Sequence, residues 1–210
     1  MRTVVLIGTD HKFQKPIDGP HRTGIESFRN TIRKLHIQHK LCAIAEEMSL
    51  AALQENDLEQ SVAQQLCIEL GHLPYNFSDP AGKERFDLGI RGSNEIKLEG
   101  QTNGWTDEHI DEEIEESYRI REREWLRRIQ EFDTWPLLFI CGANHFTHFA
   151  VLLRKSEINV IEAYQDWGPI IVVKKPVPLY SDNTYPVRAG IRHCLSQIRR
   201  TTTKELFPNN

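Results

Sequence analysis

An α/β fold of three layers, with a central, mostly parallel sheet flanked by helices, follows from three features of the sequence. Short apolar runs of strand length alternate with segments of helical periodicity. Two of these runs end in the same pattern, Gly-x-x-His: Val4-Val5-Leu6-Ile7 leads into Gly8-Thr9-Asp10-His11, and Leu137-Leu138-Phe139-Ile140-Cys141 leads into Gly142-Ala143-Asn144-His145. Strands separated by helices present their carboxyl ends on one edge, where such sheets keep their chemistry. Two imidazoles more than a hundred residues apart therefore meet if their strands are neighbours.

Taken in order, the first strand covers residues 3–7, and a polar loop through Pro16 and Pro20 leads to a helix over 23–38 with Ile25, Phe28, Ile32 and Leu35 on one face. Residues 41–45 read as a buried strand closed by Glu46 and Glu47. A helix over 58–70 ends at Gly71 as its C-cap, and 74–77 makes a short strand ending in Ser78-Asp79-Pro80. Residues 91–105 hold three glycines and few apolar side chains and read as a loop-like insertion. From Thr106, an N-cap type, a long amphipathic helix runs over 106–132, acidic at its start and basic at its end, as the helix dipole favours. Ile110, Ile114, Tyr118, Trp125 and Ile129 form its narrow apolar stripe. A strand over 137–141, a helix over 146–155, a strand over 158–163, an extended run over 170–174 and a helix near 186–200 complete the pattern.

A chain of 210 residues suits a single domain over 1–210. Its 39% hydrophobic and 27% charged residues are those of a soluble globular protein, and a net charge of −4 offers no case for a nucleic-acid or membrane partner. The first apolar run is too short for a signal-peptide core, so the expected location is cytoplasmic. Cys42, Cys67, Cys141 and Cys194 lack Cys-x-x-Cys spacing and read as buried thiols, neither disulfides nor a zinc cage.

His11 and His145 stand out because each follows a buried strand, whereas His36, His39, His72 and His109 fall on helices or in a helix-terminal turn. Two neutral imidazoles and a carboxylate make a minimal set for a divalent ion with open positions, or for a general base and its orienting acid. The bland alternative is that each histidine caps a local loop. Glu46 and Glu47 close the second strand at the same edge; alternation lets one face inward, and Glu47 is the preferred candidate, with Glu46 secondary. Asp79 is either a further strand-end group or turn chemistry. Of the arginines on the long helix, Arg121 lies four residues before Trp125 on the inward side, where it can clamp an anion of the substrate or hold the catalytic carboxylate. His148 is a secondary candidate behind His145.

In order, Gly8-Thr9-Asp10-His11, Glu46-Glu47 after a strand, Arg121-Glu122 on a helix and Gly142-Ala143-Asn144-His145 resemble the motif series of the superfamily of erythromycin esterases, ChaN-like haem-binding proteins, and TraB and Tiki-type proteins. The resemblance runs from residue 8 to residue 145. It implies an α/β fold whose two Gly-x-x-His histidines, a glutamate and an arginine meet in one site. Its members differ in chemistry: Tiki-type proteins look like manganese- or cobalt-dependent peptidases, erythromycin esterases open a lactone with a histidine activating water, and ChaN proteins bind haem. The 210 residues are expected to carry neither the signal nor the anchor of Tiki and ChaN proteins, and they are fewer than those of an erythromycin esterase.

The expectation is a hydrolase of a small-molecule or peptide substrate in which His11, Glu47 and His145 hold a divalent ion (Mn, Co or Zn), with Arg121 beside them. A metal-independent His/Glu esterase-type hydrolase is the first alternative, and a non-enzymatic protein binding a small ligand or haem is the second.

Overall fold

The computed structural model describes residues 1–17 and 21–169. Among these residues β1 (Thr3–Thr9), β2 (Ala43–Glu46), β3 (Tyr75–Phe77), β4 (Leu137–Gly142) and β5 (Asn159–Trp167) form one sheet. All pairings are parallel and the order is β3-β2-β4-β1-β5. The seven helices among these residues are α1 (Arg22–His39), α2 (Leu50–Gln54), α3 (Val62–Glu69), α4 (Gly82–Asp87), α5 (Ser93–Asn103), α6 (Asp107–Gln130) and α7 (Ala143–Lys155).

Strand alternation builds the three layers. Val5 and Ile7 point to one face of β1 and pack with Phe28 and Ile32 of α1 and Leu66 of α3. Val4 and Leu6 point to the other and pack with Trp125 and Ile129 of α6 and Phe149 and Leu153 of α7. Because both faces are covered, the central strands read as unbroken apolar runs, the usual signature of a parallel sheet. Each fully buried aromatic or branched side chain contributes roughly 1.5–3 kcal/mol of transfer free energy, which is why the apolar stripes choose the faces.

The register brings the two histidine motifs together. β1 and β4 are direct neighbours, with Gly8 opposite Cys141 and Thr9 opposite Gly142. His11 follows β1 in a 3-10 turn and His145 lies in the first turn of α7, so both emerge at the same edge. Gly8 is required by β5: a Cβ there would collide with the Gln165 carbonyl, where the β1–β5 pairing shifts register.

Several boundaries differ from expectation for identifiable reasons. The helix expected over 58–70 is confined to α3, because Ser61 caps its amino end by accepting from the Gln64 N–H, and a separate α2 precedes it, capped by Ser49. Residues 91–105 are not a loop-like insertion but contain α5. The glycines that suggested a loop serve the helix instead: the Gly92 N–H donates to the Glu95 carboxylate, Gly104 ends the helix at φ +70°, and Gly100 lies against Ile110. Ile96, Ile110 and Ile114 then form a small core of their own between α5 and α6. The elements expected over 170–174 and 186–200 lie outside the described residues, as does the part of the single-domain expectation beyond residue 169. Cys67 and Cys141 are buried free thiols; Cys42 is free but only partly buried, because it lies in the connection before β2 with its thiol donating to the Lys40 carbonyl, and Cys194 is outside the described residues. Among the described residues no helix is long and apolar enough to cross a membrane.

Candidate active site

The carboxyl edge of the sheet opens into a cleft of about 450 Å³ that includes His11, Glu47, Arg121 and His145 in its wall. Glu47 comes directly after β2, and its backbone N–H still donates to the Ile140 carbonyl of β4, at 2.7 Å. Its side chain is held as firmly: Oε2 accepts from the Gly142 N–H at 2.6 Å. That leaves Oε1 facing the imidazoles, 3.5 Å from His145 Nε2 and 3.9 Å from His11 Nε2.

His145 is almost fully buried. Its ring packs at a tilt against Tyr118, centroids 4.3 Å apart, and edge-to-face against Trp125 at 4.8 Å, and its Nδ1 lies 2.9 Å from Glu122 Oε1. A carboxylate at Nδ1 calls for a proton there, which leaves Nε2 as the lone-pair nitrogen turned toward the cleft. Glu122 is itself anchored by Arg119, whose Nη1 donates to Oε2 at 2.6 Å. His11 differs sharply, since about half of its side chain is exposed.

Arg121 is engaged by two carboxylates. Its guanidinium donates to Asp79 Oδ2 at 2.9 Å and to Glu47 Oε1 at 3.4 Å, so it holds the Glu47 carboxylate and is not a free anion clamp. Burial opposes its charge, and Asp79 and Glu47 more than offset that, raising the guanidinium further. Asp79 also accepts from Trp125 Nε1 at 3.2 Å. Burial pushes the Asp79 carboxyl above its ordinary value, with Arg121 pulling the other way. Asp79 therefore supports the site from behind Arg121.

Glu46 is turned away from the cleft. It is fully buried on the α1/α3 side, where Ser61 and Tyr75 both donate to its Oε1, and Oε2 has no partner among the described residues. Burial pushes this carboxyl up to about 7, with the two donors working against that shift. His148 does not line the main cleft: it lines another, of about 170 Å³, with Arg119, Glu122, Arg123 and Lys155.

Glu122, Tyr118, Ser93 and Asp166 are site residues that sequence reasoning did not single out. Glu122 left a signal: Tyr118, Glu122, Trp125 and Ile129 follow helical spacing, so a carboxylate interrupts an otherwise apolar stripe. Ser93 donates to or accepts from Tyr118 at 3.1 Å and depends on α5, which the glycines concealed. Asp166 sits on the polar extension of β5, where no periodicity marks it.

The donor set bears on the cofactors suggested by the motif resemblance. Among the described residues, no three His, Cys, Asp or Glu side chains form a closed metal-holding group. The 3.5 and 3.9 Å separations from Glu47 Oε1 approach the spacing of about 3.0–3.5 Å expected for two ligands near 2.1 Å from one ion. Arg121 already occupies that oxygen, so the set is open and partly compensated. A flat apolar macrocycle fits poorly, because the cleft wall is largely polar and carries Asp10, Asp166 and Glu47. No family model, curated protein or solved structure matches this chain.

Proposed function

We propose that this protein is a hydrolase in which His145 is the general base and Glu47, held by Arg121 and the Gly142 amide, orients the attacking water. The observation that carries the proposal is the buried line Glu122–His145–Glu47, with Nδ1 tied at 2.9 Å and Nε2 facing a carboxylate oxygen at 3.5 Å. A carboxylate on one imidazole nitrogen selects the tautomer and stabilises the imidazolium formed when the other nitrogen takes a proton.

In this reading His145 Nε2 removes a proton from water as the water oxygen bonds to the substrate carbonyl carbon. The electron pair of the carbonyl moves to oxygen. Gly142, the N-cap of α7, gives no side-chain cap, so the first-turn amides of Ala143, Asn144 and His145 lack intrahelical acceptors and serve the oxyanion. Collapse of the intermediate breaks the bond to the leaving group, which receives the proton from His145. His11, on the open side, contacts the same water or the leaving group.

A second reading has a specific observation in its favour: both His11 Nε2 and His145 Nε2 face one oxygen, Glu47 Oε1, at 3.9 and 3.5 Å, beyond and at the upper end of the spacing of two ligands on one ion. These three side chains would hold a divalent ion, which supplies water with a lowered pKa, and Arg121 would then turn to Asp79 alone.

A panel of p-nitrophenyl esters and dipeptides tests the proposal. Expected is turnover by the native protein that falls about 10²- to 10⁴-fold in a folded His145→Ala variant. Equal turnover by the two proteins refutes it. Elemental analysis of protein purified without chelator, with and without chelator treatment, separates the readings: stoichiometric metal whose loss abolishes turnover favours the second.

A further inference from the structure

The groove around the reaction centre is unevenly charged along its length. A second cleft, of about 230 Å³, shares His11, Glu47 and Arg121 with the larger one, so the two meet at those residues. At the meeting point the one guanidinium, Arg121, is shared between two carboxylates, Glu47 and Asp79, so it is not free for a substrate anion.

Away from that point each cleft carries a charge with no opposite partner among the described residues. In the larger cleft Asp10 is paired with Lys12 at 2.7 Å, whereas Asp166 has no cationic partner among the described residues. Tyr118 adds an aromatic ring to the same wall, a surface that attracts an ammonium. In the smaller cleft the position is reversed. Lys15 lines it, and the Lys15 ammonium meets the neutral side-chain oxygen of Asn56 at 3.2 Å and, among the described residues, no carboxylate. Among the described residues, a carboxylate without a cationic partner on one side and an ammonium without a carboxylate on the other flank that centre.

We infer that the groove takes a dipolar substrate, with a cationic group on the Asp166 side and an anionic group on the Lys15 side of the bond to be cleaved. The inference rests on the hydrolase reading for the word cleaved, and on the two flanking charges for the rest. Those charges would orient the substrate before the chemistry begins, since a reversed substrate meets like charge at both ends. A dianionic phosphate ester is disfavoured by the same arrangement, because the central arginine is already engaged.

Four probes remove the charges one at a time: alanyl-alanine, N-acetyl-alanyl-alanine, alanyl-alanine amide and the doubly blocked N-acetyl-alanyl-alanine amide. Binding is read from NMR shifts of the protein, so that turnover is not needed. The unblocked dipeptide should bind best, each block weakening it about three- to fivefold, as for exposed ion pairs. Asp166→Asn should erase the effect of the N-block and Lys15→Gln that of the C-block. Equal binding of the four, tighter binding of a blocked form, or no binding of any overturns the inference. Turnover is measured separately on the dipeptides and on p-nitrophenyl esters. Ordered binding with no hydrolysis of either refutes the hydrolase reading and leaves the charge recognition standing. Hydrolysis of the doubly blocked probe as fast as of alanyl-alanine does the opposite.

Discussion

Glu122 and His145 are joined by a 2.9 Å contact between two side chains that are both almost completely buried, one on α6 and one on α7. A carboxylate is not buried at such a helix interface for packing, because desolvating it is costly unless its partners repay the loss. Here Arg119 and the imidazole repay it, and the result is a histidine with one orientation.

Replacing Glu122 by Gln keeps the shape and removes the charge. The expected outcome is a fall in kcat of about tenfold or more with little change in KM, because imidazolium formation loses its counter-charge while the cleft wall is untouched. Steady-state kinetics alongside a melting curve check this; an unchanged kcat would make Glu122 merely structural.

Arg121→Met leaves Asp79 and Glu47 as neighbouring buried carboxylates without their cation. A loss of about 3–5 kcal/mol is expected in urea unfolding. Adding Asp79→Asn to Arg121→Met should restore part of it, since one of the two orphaned charges is then gone.

Stability should depend on pH through Glu46. Its carboxyl is raised from 4.5 to about 7 by burial, so between those values the native state binds a proton that the unfolded chain does not. The sign follows: below pH 4.5 the group has no effect, stability falls as pH rises toward 7, and above 7 the full cost, about 3 kcal/mol, is present. Glu46→Gln should flatten this slope and stabilise the protein at pH 8 relative to the native chain. Parallel unfolding curves for the two proteins from pH 4.5 to 8 would contradict it.

Gly142→Ala tests the crowding at the centre of the site. The backbone there is extended (φ −63°, ψ 144°) and accepts any residue, but the new Cβ would lie 3.2 Å from Glu47 Oε2 and 3.3 Å from His11 Nε2. Stability should change by about 1 kcal/mol or less and turnover should fall at least about tenfold. Normal turnover would show that these two groups can move without loss.

Much of this was readable in the chain. Alternating apolar runs and helical stripes determine a parallel α/β sheet, because only an element covered on both faces can be apolar throughout. The repeated Gly-x-x-His determines that two histidines leave strand ends, and the inward position of Arg121 follows from its spacing to Trp125. Helix α5 was hidden because its glycines act as cap and close-packing residues, roles that exist only once Glu95 and Ile110 are in place.

Tertiary structure alone decided the rest. The adjacency of β1 and β4, with Gly8 beside Cys141, brings His11 and His145 to one cleft, and no local pattern encodes which strands are neighbours. It also parted two adjacent glutamates: pleating sends Glu46 into the core against Ser61 and Tyr75 and Glu47 to the Gly142 amide. Glu122 becomes a partner of His145 only where α6 crosses α7, and Asp166 and Lys15 flank the centre only because the clefts share its residues. Residue type and periodicity set the chemistry available at each position; the packing of distant segments set which of those groups share a site.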